Sequence, residues 1–398
     1  MSVHLEAEAL VDRLIQEHDP KTSEPADFWG AQYDLGLAWV DFPVGFGGRE
    51  WPREVQDTVD ERLRAAGAPV NRFTNFVGIG MAAPTLHAYA SVDDQKRLFR
   101  PIFTCEEIWC QLFSEPGAGS DLASLSTRAV RDGDEWVISG QKVWATLAHV
   151  ARWGLLVARH DPQQPKHRGL TYFYVDMHSP GIEIRPLRQI TGSADFNEVF
   201  LHEVRVPDSQ RLGAVGDGWR VALTTLNSER SAIGGLGDEP RGAGPIRRAV
   251  QLYQERGDDD PVLRNKLASL WVESEVIRLT TARAQALRER DEAGPEGAIL
   301  KLAVSQFQQR LYNFCVDLLG AKGMLLSHQE MTQPTTILES NSGDGDLDIV
   351  RAFLRTRSAT IAGGTSEVAR NMIGERVLGL PPEPRFDKDL PWSEVPRS

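Results

Sequence analysis

The chain has 398 residues, 41% hydrophobic and 25% charged, which is ordinary globular composition and enough length for two or three domains. A net charge of −12 leaves no cationic footprint for nucleic acid. Three cysteines, Cys105, Cys110 and Cys315, show no CxxC spacing, so neither a disulfide framework nor a zinc site is expected, and a reducing cytoplasm is the default compartment.

Val3–Glu17 places Leu5, Leu10, Val11, Leu14 and Ile15 at helical spacing. Glu6, Glu8 and Asp12 in the same stretch argue against a signal peptide, and no later stretch approaches a membrane span. Pro20–Asp27 breaks the helix. Leu37–Trp51 contains Pro43, Gly45, Gly47 and Gly48 and reads as a loop. Arg53–Ala66 returns to helix and stops before Gly67. Phe73–Ala90 reads as a buried helix interrupted at Pro84. Ser91–Asp94 has the form of a capping box that leads a short helix, Asp94–Phe103.

After Cys110 the period changes. Gln111–Asp121 reads QLFSEPGAGSD, and its Gly117-Ala118-Gly119-Ser120 portion offers a backbone that a ligand can approach closely. Thr127–Arg131 and Glu135–Val143 flank the hairpin signal Asp132-Gly133-Asp134. Trp153–Arg159, Leu170–Asp176, Ile182–Leu187 and Val199–Val206 read as further strands, so this third of the chain is expected to be a small barrel or sandwich. From Val215 the helical period resumes in Trp219–Ile233, Pro245–Arg256, Pro261–Arg290, a helix opening at Pro295, and Ser366–Leu378. Asn341–Asp348, polar and glycine-bearing, reads as a connection.

The glycine run, paired about twenty residues on with Gly140-Gln141-Lys142-Val143-Trp144-Ala145-Thr146, resembles the acyl-CoA dehydrogenase family. The resemblance continues through Phe196-Asn197-Glu198-Val199-Phe200, Val204-Arg205-Val206-Pro207, Asn227-Ser228-Glu229-Arg230 and Gly363-Gly364-Thr365-Ser366-Glu367. It implies a mainly helical α+β fold: an N-terminal helical domain over 1–110, a central β-barrel or sandwich domain over 111–212, and a C-terminal four-helix bundle domain over 213–398. It also implies FAD, an acyl-CoA substrate from lipid catabolism, and re-oxidation by an electron-transferring flavoprotein. A homodimer or homotetramer built on the bundle is expected, with a hetero-oligomer as the alternative, and no nucleic-acid or membrane partner.

By that resemblance, Trp144 lies against the flavin ring system and Thr146 bonds near its reactive nitrogen. Alternation in a strand would put both side chains on one face. Phe113 supplies backbone contacts, Ser114 meets the pyrimidine side, and Gly119 and Ser120 meet the pyrophosphate. Thr365 and Glu367 match positions that approach the adenosine portion. The family's Arg-x-x-Phe-Gly segment is missing, and Arg264 is the nearest replacement.

Removing a proton from the carbon next to a thioester needs a carboxylate over that carbon. Many family members carry this glutamate just before the Gly-Thr-Ser of the C-terminal loop. Gly363 stands there instead. A second family solution places the glutamate before an arginine on the first helix of the bundle, which here gives Glu229 as the base and Arg230 as its neighbour. Gly363 would keep its N–H for the thioester oxygen. His149 is given a surface or core role, Glu115 a local cap or pairing role, and Phe196 and Asn197 the entrance for the substrate.

The expected activity is therefore acyl-CoA dehydrogenation, with Glu229 taking the α-proton while the β-hydride passes to flavin N5, giving the trans-2-enoyl thioester. Two rivals stand beside it. One is different flavin chemistry on the same fold, as an oxidase, a monooxygenase or a β-eliminating enzyme. The other is a non-catalytic partner subunit of a hetero-oligomer.

Overall fold

Trp109–Leu212 forms the middle of the molecule, and its strands Trp153–Arg159 and Leu170–Asp176 bury both of their faces. The computed structural model describes residues 2–234, 240–257, 259–288, 296–326, 330–337, 346–384 and 387–396. Among them, eight strands make one sheet: β1 (Trp109–Leu112), β2 (Arg128–Asp132), β3 (Glu135–Thr146), β4 (Trp153–Arg159), β5 (Leu170–Asp176), β6 (Ile182–Leu187), β7 (Phe196–Pro207) and β8 (Arg211–Leu212). The order is β6-β7-β3-β2-β4-β5-β8, with β1 added in parallel to β4. β4 is buried at every position. Its Leu155 and Val157 join a core shared with the N-terminal helices. Its Leu156 and Ala158 join the interior of the β-domain. β5 divides the same way, Tyr172 and Tyr174 against Phe173 and Val175, as the two-residue period of a strand requires.

The N-terminal part packs α1 (Val3–Glu17), α2 (Pro25–Asp34), α3 (Val55–Ala65), α4 (Ala83–Tyr89) and α5 (Val92–Phe103) into the first of these cores. α2 was not expected from the sequence, where the prolines hide it; Pro25 sits in its first turn, where a missing N–H does no harm. Pro84 likewise opens α4 rather than interrupting a helix, and the irregularity precedes it as a π-helical turn over Gly78–Ala82. Ser91 does cap α5, accepting from the Asp94 N–H.

After the sheet come α6 (Gly218–Gly234), α7 (Pro245–Arg256), α8 (Pro261–Arg288), α9 (Glu296–Leu319), α10 (Asp346–Arg355) and α11 (Ser366–Met372). Four of them share a core: Ile246, Ala249 and Leu252 of α7, Leu267 and Leu270 of α8, Phe307, Leu311 and Phe314 of α9, and Ile349 of α10. The expected connection at Asn341–Asp348 is corrected in part, because α10 starts at Asp346; residues 341–345 lie outside the described residues. The expected starts and ends at residues 290 and 295 also fall outside them. The fold is α+β and mainly helical, with helical domains on either side of a central β-domain.

α6 is the element that links all three parts. Its Val221 and Ala222 enter the first core. Its Thr225 hydroxyl lies 2.9 Å from Thr85 Oγ1 of α4 and 2.9 Å from the Tyr172 hydroxyl of β5, a fully buried trio. Thr224 shares a further 3.0 Å hydrogen bond with Tyr89. Glu229 stands one helical turn beyond Thr225, on the same side of α6.

Candidate functional site

The Glu115–Asp121 loop is fastened to β3 by a buried ion pair. Lys142 Nζ donates to Glu115 Oε1 at 2.9 Å and to the Phe113 carbonyl at 3.0 Å. The Lys142 side chain is 0% exposed and that of Glu115 5%. Glu115 also accepts from the Ser126 and Thr127 N–H groups, at 2.6 and 2.9 Å, and from the Ser126 hydroxyl at 2.8 Å. The Val143 N–H donates to the Ser114 carbonyl at 2.9 Å. Glu115 thus pairs with a residue of the second motif rather than capping locally. Lys142 lies inside that motif, yet spacing alone gave no reason to pair it with Glu115.

Burial works against the Glu115 carboxylate, but Lys142 and the Ser126 and Thr127 donors outweigh it and hold it at about 2. Burial pushes Lys142 down, and Glu115 opposes that shift. The fold binds ionised Glu115 more tightly than the unfolded chain does. Its contribution is complete above the ordinary value of 4.5 and is lost as pH falls toward about 2. Far-ultraviolet circular dichroism during acidification is expected to show the β-domain failing in that window, with a shallower loss in Glu115→Gln.

Phe113, Ser114, Trp144 and Thr146 are brought together by these contacts. The Phe113 ring is buried against Tyr172, at 5.7 Å between centroids, while its carbonyl meets Lys142. A register shift between Lys142 and Ala145 puts a bulge in β3, and Trp144 takes φ 62 there. A left-handed conformation at a bulky residue is costly and concentrates at functional sites. Trp144 is 58% exposed although large and apolar, and its ring meets Phe196 edge-on at 6.0 Å. Ala145 is buried between the exposed Trp144 and the half-exposed Thr146. Gly119 and Ser120 are exposed in the loop, which is tied by reciprocal Glu115 and Ala118 backbone bonds at 3.1 and 3.0 Å.

One residue near Trp144 departs from its expected role. Asn197 borders no entrance: it is fully buried, donating to the Ala145 carbonyl at 3.1 Å and lying 3.1 Å from His149 Nδ1. His149 reaches on to the Pro334 carbonyl at 3.0 Å, joining the β-domain to the segment after α9.

At the other end of the site, Gly363 and Gly364 have φ 65 and 93, conformations that suit glycine. A Cβ placed on Gly363 would lie 3.9 Å from Glu229 Oε1 and 3.9 Å from Lys301 Cε. The chain therefore folds Glu229 of α6 against the loop position that lacks a carboxylate of its own. The Arg230 side chain lies outside the described residues. Thr365 caps α11 by accepting from the Val368 N–H at 3.1 Å, and Glu367 is exposed with Arg370 at 3.1 Å. Ser366 between them has a buried hydroxyl without a hydrogen-bond partner among the described residues. Arg264 is exposed in the first turn of α8, 3.9 Å from Asp259. Among the described residues, no cluster of His, Cys, Asp and Glu is arranged to hold a metal ion, and no helix is long and apolar enough to cross a membrane.

A family model described as acyl-CoA dehydrogenase, middle domain, matches residues 110–204. A second, acyl-CoA dehydrogenase, C-terminal domain, matches residues 216–378. Acyl-CoA dehydrogenase IpdE1 of Mycobacterium tuberculosis is 39% identical over 355 residues, covering 87% of this chain and 86% of that protein. The chain belongs to the acyl-CoA dehydrogenase family. Acyl-CoA dehydrogenase FadE34 of the same organism is also 39% identical, over 87% of this chain but 45% of its own length. Among solved structures, the Tcur3481-Tcur3483 steroid ACAD superposes with a TM-score of 0.73 at 25% identity, covering 96% of this chain and 99% of that one.

Family membership makes the chain a flavin-dependent oxidoreductase of acyl-CoA thioesters, with FAD as cofactor. The residues present fit that cofactor. A Cβ on Gly117 or Gly119 would meet no atom within 4 Å, and neither glycine has positive φ. Neither chain packing nor a special turn accounts for these glycines, and the open space around them has room for the close approach of a ligand. Trp144, 58% exposed, offers a flat apolar face of the kind that suits a flavin ring.

Proposed function

We propose that the chain oxidises an acyl-CoA thioester to its trans-2-enoyl form, with Glu229 removing the α-proton. The observation that carries this reading is the 3.9 Å approach of Glu229 Oε1 to the Cβ position of Gly363. A loop without its glutamate is met by a glutamate from α6, so one carboxylate still serves the site. Glu229 is half-buried, so its carboxylate is partly shielded from bulk water. The Gly363 N–H polarises the thioester carbonyl, which makes the α-carbon more acidic. Arg230 follows the base and adds positive charge at that end of α6.

Bound FAD supplies the acceptor for two electrons and the hydrogen leaving the β-carbon. Phe113, Ser114, Trp144 and Thr146 hold and orient its ring end, and Gly119 and Ser120 its pyrophosphate. Thr365, Glu367 and Arg264 serve the adenosine end. Exposed Arg264 suits a contact made across a subunit boundary. The residues 1–110, 111–212 and 213–398 act as three domains in this reading, supported by the start of β1 at Trp109, the end of β8 at Leu212 and the start of α6 at Gly218.

The acyl group is read as ring-bearing. Support comes from the likeness to the steroid ACAD and from the missing loop side chain, since among the described residues, its own chain neighbours aside, the nearest atoms to the space a Gly363 Cβ would take are 3.9 Å away. An oligomer built on the bundle is supported by Val272, Val276 and Leu279 of α8, which are 62%, 56% and 58% exposed at helical spacing. An electron-transferring flavoprotein is the proposed acceptor. Incubation with a ring-bearing acyl-CoA and ferrocenium should give a thioester lighter by two hydrogens without oxygen uptake. Oxygen consumed in step with substrate would instead establish an oxidase or a monooxygenase.

A further inference from the structure

We propose that Lys301 is a positioning residue for the base, tying the turn ahead of Gly363 to α9 and setting its ammonium group beside the Glu229 carboxylate. This rests on the reading of Glu229 as the base.

Three observations converge on Lys301. Its Nζ donates to the Ala359 carbonyl at 2.5 Å, inside the 3-10 turn Ser358–Thr360 that runs directly into Gly363. Gln309, about two helical turns further along α9, fastens the same segment through the Thr356 carbonyl and the Thr360 hydroxyl, each at 3.1 Å. Finally, Lys301 Cε and Glu229 Oε1 each lie 3.9 Å from the point where a Gly363 Cβ would sit. The lysine stem and the carboxylate therefore flank one small volume beside the loop.

The electrostatics agree with the geometry. Burial pushes Lys301 down, and the Glu229 charge works to keep it protonated. A lysine in water swings freely; here one of its donors is fixed on Ala359. Its charge is held near Glu229, which favours the ionised carboxylate in one orientation. The same tether fixes where the Gly363 N–H stands relative to the base. The base comes from α6 and the carbonyl donor from the loop ahead of α11, so something must hold them in register. An error of about 1 Å in such a register can cost on the order of 100-fold in rate.

The test uses the flavin-loaded enzyme in anaerobic stopped-flow mixing. The probes are butyryl-CoA, octanoyl-CoA, cyclohexane-1-carbonyl-CoA and a steroid side-chain CoA thioester, taking whichever bleaches wild-type flavin fastest. Lys301→Gln keeps a donor for Ala359 but loses the charge, Lys301→Met loses both, and Lys301→Arg keeps both. Flavin reduction in the Gln and Met variants is expected to slow by about 10- to 100-fold, with half-saturation moved less than about threefold. The Arg variant is expected to recover most of the rate. Flavin content, read from the visible spectrum, controls for folding.

Wild-type rates in Lys301→Gln or Lys301→Met would overturn the proposal. So would a fully flavinated Lys301→Arg as slow as the Gln variant, a result that stands even where the other two lose flavin. Glu229→Gln run in parallel separates the two readings. Fast Glu229→Gln removes the base assignment itself, while slow Glu229→Gln beside fast Lys301 variants removes only the role of Lys301. Wild-type flavin that none of the four thioesters bleaches would overturn both.

Discussion

Glu229→Gln is expected to slow flavin reduction by the acyl-CoA thioester by about 10²- to 10⁴-fold, the range a positioned general base contributes. That corresponds to about 3–5 kcal/mol of barrier. The substitution keeps shape and removes basicity. Glu229 is half-buried near the end of α6, beyond the buried Thr225 trio that anchors the helix, so flavin content and melting temperature should stay close to wild type. The loss should fall on the reduction rate rather than on thioester binding, because the proton is transferred only in the transition state. Stopped-flow reduction at saturating thioester measures it. Adding Gly363→Glu to Glu229→Gln should return part of the rate, since a carboxylate from position 363 starts 3.9 Å from the lost oxygen. The recovery should be incomplete because position 363 has φ 65, which a non-glycine residue adopts at a cost. A Glu229→Gln enzyme that reduces its flavin at wild-type speed would show that another group takes the proton.

Lys142→Met should destabilise the chain by about 3–5 kcal/mol, the usual result of leaving one buried charge without its partner. The Glu115 side chain is 5% exposed and loses its Lys142 ion-pair partner in this substitution. The damage should reach the flavin first. Lys142 also holds the Phe113 carbonyl, and Phe113 and Ser114 lead into the glycine loop. Urea unfolding followed by tryptophan fluorescence measures the stability change, and the visible spectrum after desalting measures flavin retention. Combining Lys142→Met with Glu115→Gln should recover part of the stability, because the stranded charge is gone. A single Lys142→Met variant as stable as wild type, with full flavin, would show that the pair does not fasten the loop.

Much of this arrangement was legible in the sequence, and what was hidden has physical reasons. β4 and β5 run over the residues expected for them, because short apolar runs rich in branched and aromatic side chains have few other structures open to them; β6 does so through the alternation of Ile182 and Ile184 with charged neighbours. The spacing of Phe307, Leu311 and Phe314 on α9 reports directly on the bundle core. α2 and α10 were hidden, α2 behind prolines and α10 at the edge of a polar, glycine-bearing stretch. β1 is only four residues long, too short for a period to show.

The site divides along the same line. Glycines and an aromatic at fixed spacing could be read as a family pattern, and a missing carboxylate at 363 could be seen as missing. Contacts between distant residues left no mark. The pairing of Glu115 with Lys142 crosses 27 residues, and the link from Lys301 to Ala359 crosses 58. The left-handed turn at Trp144 depends on a bulge that β7 imposes on β3, and nothing in Val143-Trp144-Ala145 announces it.

The most direct test of the account is an anaerobic visible spectrum of the protein purified alone, before and after addition of a ring-bearing acyl-CoA thioester. The account predicts a bound, oxidised flavin whose absorbance bleaches on mixing, with one enoyl thioester formed per flavin reduced. A chain that carries no flavin, or a flavin that stays oxidised with every thioester offered, would contradict it.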